Sequence, residues 1–330
     1  MPRYSPVSIV VIGRNEEKNL PRVLTSCLNL NYPREKLEII YVDNDSTDRS
    51  MEVAKDYIPH IYSVSSDWPT PGLARNKGLI EAKYEIIHFL DGDIEIDPDY
   101  LWQAVQIFEE KQCEAVFGYL KEKNKGINRV LLSHWDDKEE GYVNTSGGGG
   151  TYKKAPLLQI NGYDERIRKG QEIEMGERFL KNGYKIWFAK IPMGIHDYNV
   201  KSVSSFFNIP FIMGKSVFYN SLIKDNNTDF IRKQKKNNIK YILLNCCFYL
   251  SIVFCFLYSC IPLIIFLGFF LFRLVRMIKN NYPFKTFNSF IFTLIRSIYL
   301  FIFFIGQLQI FRKICISRTI SFPDKKCIID

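Results

Sequence analysis

Two aspartates separated by one glycine, Asp91-Gly92-Asp93, follow the apolar run that ends at Leu90. Carboxylates released together at the end of a strand can share one divalent cation. Hard oxygen donors suit Mg2+ or Mn2+, which in turn bridge the two phosphates of a nucleoside diphosphate. The same tripeptide also closes ordinary turns, so its meaning depends on what surrounds it. Other polar residues gather in the same way after apolar runs: Arg14, Asn15 and Glu16, then Asp43, Asn44 and Asp45.

These groups need a scaffold that brings strand ends together. The runs Val7–Ile12, Glu38–Val42, Ile61–Val64, Glu85–Leu90 and Ala115–Phe117 read as strands. Between them, Glu16–Leu28, Asp48–Tyr57, Leu73–Ala82 and Pro98–Lys111 read as helices, with Ser46 or Thr47 as a candidate cap for the second. Such alternation predicts a mostly parallel sheet with crossover helices, whose ligands bind beyond the carboxyl ends of the strands. The polar residues above should therefore converge on one edge. Farther on come glycines 147–150, a turn at Gly162–Glu165 and an acidic helix from Glu172 to Lys181.

The composition changes near position 240. Of the 330 residues 47% are hydrophobic, but the end of the chain is dominated by Phe, Ile and Leu, with apolar stretches at 241–272 and 287–306. The first would be about 48 Å long as one helix, against roughly 30 Å of hydrocarbon. Pro262 near its middle and Arg273, Arg276 and Lys279 at its far end suit a hairpin of two short helices, and one tilted helix is the alternative. The second stretch carries Arg296 and precedes a basic tail, which suits an interfacial helix. Much of the net charge of +9 flanks these stretches, so anionic lipid is a simpler partner than nucleic acid. None of the eight cysteines forms a CxxC pair, and Met1–Pro6 lack a signal-peptide core. The expectation is a domain over 1–230 facing the cytoplasm, and a membrane-associated helical region over 231–330 at the inner membrane.

The segments Ser8–Glu17, Tyr41–Asp48, Gly72–Gly78 and Phe89–Asp93 follow in order and at fitting intervals. Together they resemble the GT-A fold glycosyltransferases of family 2, with a looser match to about His196. The resemblance implies a Rossmann-like α/β domain for nucleotide-diphospho-sugars. It places Asp43 at the base and ribose of the donor, with Asn15 and Glu16 beside it, and Arg75 near the base and phosphates. Asp91 and Asp93 look like the metal pair for Mn2+ or Mg2+, and His196 is similar to a histidine that completes the site in some relatives. Asn76 and Gly78 would only shape the helix that presents Arg75. On the acidic helix, Glu172 falls where the family carries its catalytic base, with Gln171 in place of the usual glutamate and Glu174 as the alternative base. A solvated helix face is the competing reading of these acids.

The implied activity is an inverting transfer from a nucleotide-sugar to a membrane-associated acceptor, lipid-linked or a cell-envelope glycan. Two other readings compete with it. A sugar nucleotidyltransferase would carry a Gly-rich basic loop after the first strand, which Gly13–Glu17 is not. A catalytically silent binding protein of the same fold is left open by Gln171.

Overall fold

A computed structural model describes residues 4–123, 139–145, 149–197, 216, 219–223, 226 and 228–236. The chain separates into two compact units, one of Met1–Val200 with Thr228–Phe230 and Ser321–Asp330, the other of Lys201–Asn227 with Ile231–Ile320. Both apolar stretches, 241–272 and 287–306, lie outside the described residues. No helix among the described residues is long and apolar enough to cross a membrane.

The first unit is built on β1 (Val7–Gly13), β2 (Leu37–Asn44), β3 (His60–Val64) and β4 (Ile86–Asp91). They lie in the order β3-β2-β1-β4, all parallel. Every residue of β1 is buried, as a central parallel strand covered on both faces requires. The connections include α1 (Leu20–Leu28), α2 (Ser50–Lys55) and α3 (Pro71–Glu81). Helix α3 packs so closely on β1 that a Cβ at Gly78 would stand 2.2 Å from Val10 Cγ1. At this position glycine sets the distance between helix and sheet.

The register settles where the polar residues emerge. Gly13 pairs with Asp43 and Ile12 pairs with Asp91, so three strand ends stand level at one edge. The order reverses direction around β1, which creates the crevice that α/β sheets use for ligands.

Beyond β4 the sheet becomes mixed. The chain forms β5 (Ile94–Ile96), α4 (Tyr100–Lys111), β6 (Ala115–Glu122), β7 (Gly141–Tyr142), β8 (Gly150–Lys153), α5 (Lys154–Gln159), α6 (Gln171–Lys181) and β9 (Ile186–His196). Strand β8 inserts antiparallel between β4 and β6, and β9 runs parallel to β6 and antiparallel to β5. Pro192–Gly194 lies within β9. Irregular pairing around Tyr119 lets β9 pass its proline and continue to His196. Helix α2 also begins later than predicted and is capped by neither Ser46 nor Thr47. Asp48 Oδ1 accepts from the Ser50 N–H at 3.0 Å, and Ser46 Oγ accepts from the Asn15 N–H.

Candidate active site

The end of β4 carries Asp91, and the next N–H, that of Gly92, donates to Ile12 O at 2.8 Å. A Cβ on Gly92 would meet Ile12 O and Glu16 Cγ at 3.1 Å each, tighter than ordinary contact, so glycine eases the turn this close to β1. Asp93 follows at the start of the next segment. Opposite, the loops after β1 and β2 are laced together. Asn15, at φ 59°, accepts from the Thr47 N–H at 2.8 Å, and the Glu16 N–H donates to Ser50 Oγ at 2.8 Å.

These loops and the start of α6 enclose a cavity of about 260 Å3. Its wall includes Glu16, Asp91, Asp93 and Glu172, four acidic side chains from three separate parts of the chain. Among them stands Arg75, 1% exposed, which donates to Asp91 Oδ1 at 2.6 Å and to Glu172 Oε1 at 3.0 Å. The guanidinium also lies 5.4 Å from the centroid of the Tyr163 ring. Burial opposes its charge, but the carboxylates of Asp91 and Glu172 hold it protonated. The resemblance put Arg75 near the base and phosphates of the donor; it lines this cavity, and its charge is paired there with two carboxylates.

Crowding of negative charge shows in the acids themselves. Burial pushes the Asp91 carboxyl up to about 6; Arg75 opposes this, while Asp93 and Glu172 add to it. Glu16 rises to about 7, first through burial and then through Asp93 and Asp91, against a lowering bond from Asn19. A divalent cation would relieve this repulsion, and carboxylate oxygens are the donors Mg2+ and Mn2+ prefer. The residues at the β4 end therefore fit such an ion. His196 Nε2 lies 3.1 Å from Asp93 Oδ2, because β5 pairs Ile94 with His196. Among the described residues no group of three or more His, Cys, Asp or Glu side chains is arranged to hold a metal ion by itself.

The two candidate bases part company. They stand about 200° apart around the helix. Glu172, its side chain 18% exposed, lies on the cavity wall and accepts from the Gln171 amide at 3.3 Å. Glu174 is fully buried and takes Arg178 through both oxygens at 2.8 Å. Arg178 also donates to the carbonyls of Ile160 and Gly162, so this pair fastens α6 to the preceding turn. Glu174 therefore does not join the site.

Neither Asp43 nor Asn15 reaches the cavity wall. Asp43 is buried and accepts from the Tyr41 hydroxyl at 3.0 Å and the Ser46 N–H at 2.9 Å, which braces the loop after β2. Its neighbour Asn44 lines the cavity in its place. Asn76 does more than shape α3. Its amide donates to Tyr163 O and accepts from the Tyr163 N–H, clamping the segment that leads into α6. Arg168 and Lys169 also line the cavity, and no local pattern in the sequence singles them out.

A strand-end cavity of this kind on a sheet of this order defines the GT-A class of α/β folds. The mannosyltransferase of Pyrobaculum calidifontis, solved in complex with GDP-Man and Mn2+, matches it with a TM-score of 0.57 at 16% identity, over 93% of this chain and 88% of that one. Residues 8–169 match the model described as glycosyl transferase family 2, which with the relatives supports a family 2 glycosyltransferase. The chain is 31% identical over 133 residues to the 4,4'-diaponeurosporenoate glycosyltransferase of Staphylococcus haemolyticus, covering 39% of this chain and 32% of that protein. It is 34% identical over 132 residues to the poly(ribitol-phosphate) beta-glucosyltransferase of Bacillus spizizenii, covering 38% and 21%. The match thus spans a third or less of each of these two curated relatives.

Proposed function

We propose that the chain is an inverting glycosyltransferase that moves a sugar from a nucleotide-diphosphate sugar to a hydroxyl of a membrane-associated acceptor, lipid-linked or a cell-envelope glycan. The observation that carries this reading is the placement of Glu172, Arg75 and Asp91 in contact on one cavity wall. It puts a candidate base beside the residues suited to a metal-bound diphosphate. In this reading Asp91 and Asp93, with His196 beside Asp93, would hold Mn2+ or Mg2+. The cation, when bound, supplies positive charge for the leaving diphosphate.

The chain's own groups do the rest. Glu172 takes the proton of the acceptor hydroxyl as that oxygen attacks the anomeric carbon, and Arg75 and Gln171 hold the carboxylate in place. Asn44 and the loop braced by Asp43 and Asn15 border the nucleoside. The apolar stretches 241–272 and 287–306 would keep the enzyme at the inner face of the cytoplasmic membrane, where a lipid-linked acceptor is presented. The basic clusters that flank them support this. The two relatives, a 4,4'-diaponeurosporenoate glycosyltransferase and a poly(ribitol-phosphate) beta-glucosyltransferase, support an acceptor of this general kind.

The test is a thermal-shift screen of nucleotide sugars with and without Mn2+, followed by donor hydrolysis with the purified full chain. A ligand that binds only the folded state raises the melting temperature. Stabilisation by one donor without turnover of it would favour the catalytically silent binding protein. Cysteine-accessibility labelling that placed Lys279 outside the cell would replace the hairpin by a single span.

A further inference from the structure

Arg75 is paired with Asp91 and Glu172, and the cavity wall carries three further cations, Arg14, Arg168 and Lys169. Arg168 and Lys169 stand there, immediately before α6, which carries Glu172. The Arg168 guanidinium stacks on the Trp68 ring at 4.2 Å. Trp68 is itself fixed, because its indole N–H donates to Arg166 O at 3.1 Å. The Thr70 hydroxyl donates to Glu165 O at 2.6 Å, and Arg166 is ion-paired to Asp164 at 2.7 Å. The loop that bears the two cations is therefore a built structure, tied at several points to the loop before α3. Stacking orients a planar guanidinium in advance, so less freedom is lost when its fork meets a phosphate oxygen pair.

We propose that Arg168 and Lys169 form a phosphate-binding shelf on the wall of this cavity. The inference rests on the glycosyltransferase reading for the identity of the phosphate, which belongs either to the donor diphosphate or to a phosphate carried by the acceptor. Arg168 supplies a fork and Lys169 an exposed point charge, a combination suited to a tetrahedral oxyanion rather than to a neutral sugar.

The experiment uses the full chain with Arg168→Gln, Arg168→Lys and Lys169→Gln. The probes are UDP and GDP, the nucleosides uridine and guanosine, and sn-glycerol 3-phosphate. Removing one charge should weaken the phosphate-bearing probe that uses the shelf by about tenfold or more, leave the nucleosides unchanged, and be partly repaired in Arg168→Lys. Weaker nucleoside diphosphate binding with unchanged glycerol 3-phosphate assigns the shelf to the donor. The reverse assigns it to the acceptor. If neither class moves in variants that melt like the wild type, the shelf is rejected. Lys169 is exposed, so Lys169→Gln decides the matter even if the Arg168 variants fold poorly. A chain that binds no nucleoside diphosphate would sink the glycosyltransferase reading. The shelf would still stand if glycerol 3-phosphate stabilised the wild type and not the glutamine variants.

Discussion

Glu172 Oε1 lies 3.0 Å from the Arg75 guanidinium, across 97 residues of chain. The contact joins the start of α6 to the middle of α3, and through the second arm of Arg75 it reaches Asp91 at the end of β4. One buried cation thus sets the relative positions of two acids that the proposed chemistry needs. Arg75→Met should leave both carboxylates facing each other without compensation, at a cost of about 3–5 kcal/mol. For a unit of this size that is a fall in melting temperature of roughly 6–20 °C. Arg75→Lys should restore little, since a single ammonium cannot donate in two directions with the same geometry. Thermal melts of the three proteins check this, and a Lys variant as stable as the wild type would contradict it.

Asp93→Asn should abolish stabilisation of the protein by Mn2+ while leaving the metal-free melting temperature nearly unchanged. Among the described residues Asp93 has no Lys or Arg ion pair comparable to Arg75, and an asparagine can still meet His196 Nε2. A thermal shift measured with and without Mn2+ reads this directly. An undiminished Mn2+ response in the variant would remove Asp93 from the cation site.

Glu172→Gln and Glu174→Gln should separate chemistry from stability. The first should lower turnover by about 10²–10⁴-fold, with donor affinity little changed. The second strands Arg178 at the turn it fastens, so it should lower the melting temperature while folded molecules keep their turnover. Donor binding, turnover and melting measured on both variants give the comparison. If Glu174→Gln were the change that stopped catalysis in a stable protein, the assignment of roles on α6 would be reversed.

Much of the parallel half was legible in the sequence, because fully buried strands leave apolar runs and their ends leave polar clusters. Val7–Ile12 and the run before Asp91 are of this kind, and so the position of the carboxylate pair could be read. The mixed half was less legible. Strand β5 has only three residues, β8 begins in a glycine run, and β9 passes Pro192 through irregular pairing. Side-chain roles were the least legible. The type and place of Arg75 were clear, but its partners lie 16 and 97 residues away, and no local pattern encodes them. Asp43 and Asn15 are placed at the nucleotide by resemblance, and the loop-bracing bonds they make to Tyr41, Ser46 and Thr47 are likewise encoded in no local pattern.

The last prediction concerns acid stability and His88, which is buried in β4 against Thr151 and Tyr100. Burial lowers its pKa from 6.5 to about 3, so the folded protein holds it neutral. The unfolded chain binds a proton there near pH 6.5 and the folded one does not, so this contribution is full above pH 6.5. It is lost as pH falls toward 3, at up to about 1.4 kcal/mol per pH unit. Glu16 and Asp91 act in the opposite sense. Their pKa values are raised on folding, so the folded state binds more protons than the unfolded one, and their contribution is lost as pH rises toward 7 and 6 respectively. The net acid profile of the wild type therefore mixes signs, and only a difference isolates the histidine. His88→Gln keeps a side chain able to bond Thr151 but removes the titration. Between pH 7.5 and 5.5 in the presence of EDTA, the wild type should lose about 1.4 kcal/mol more than this variant. Urea unfolding at the two pH values measures the difference. Parallel losses in both proteins would show that His88 is not the group that titrates.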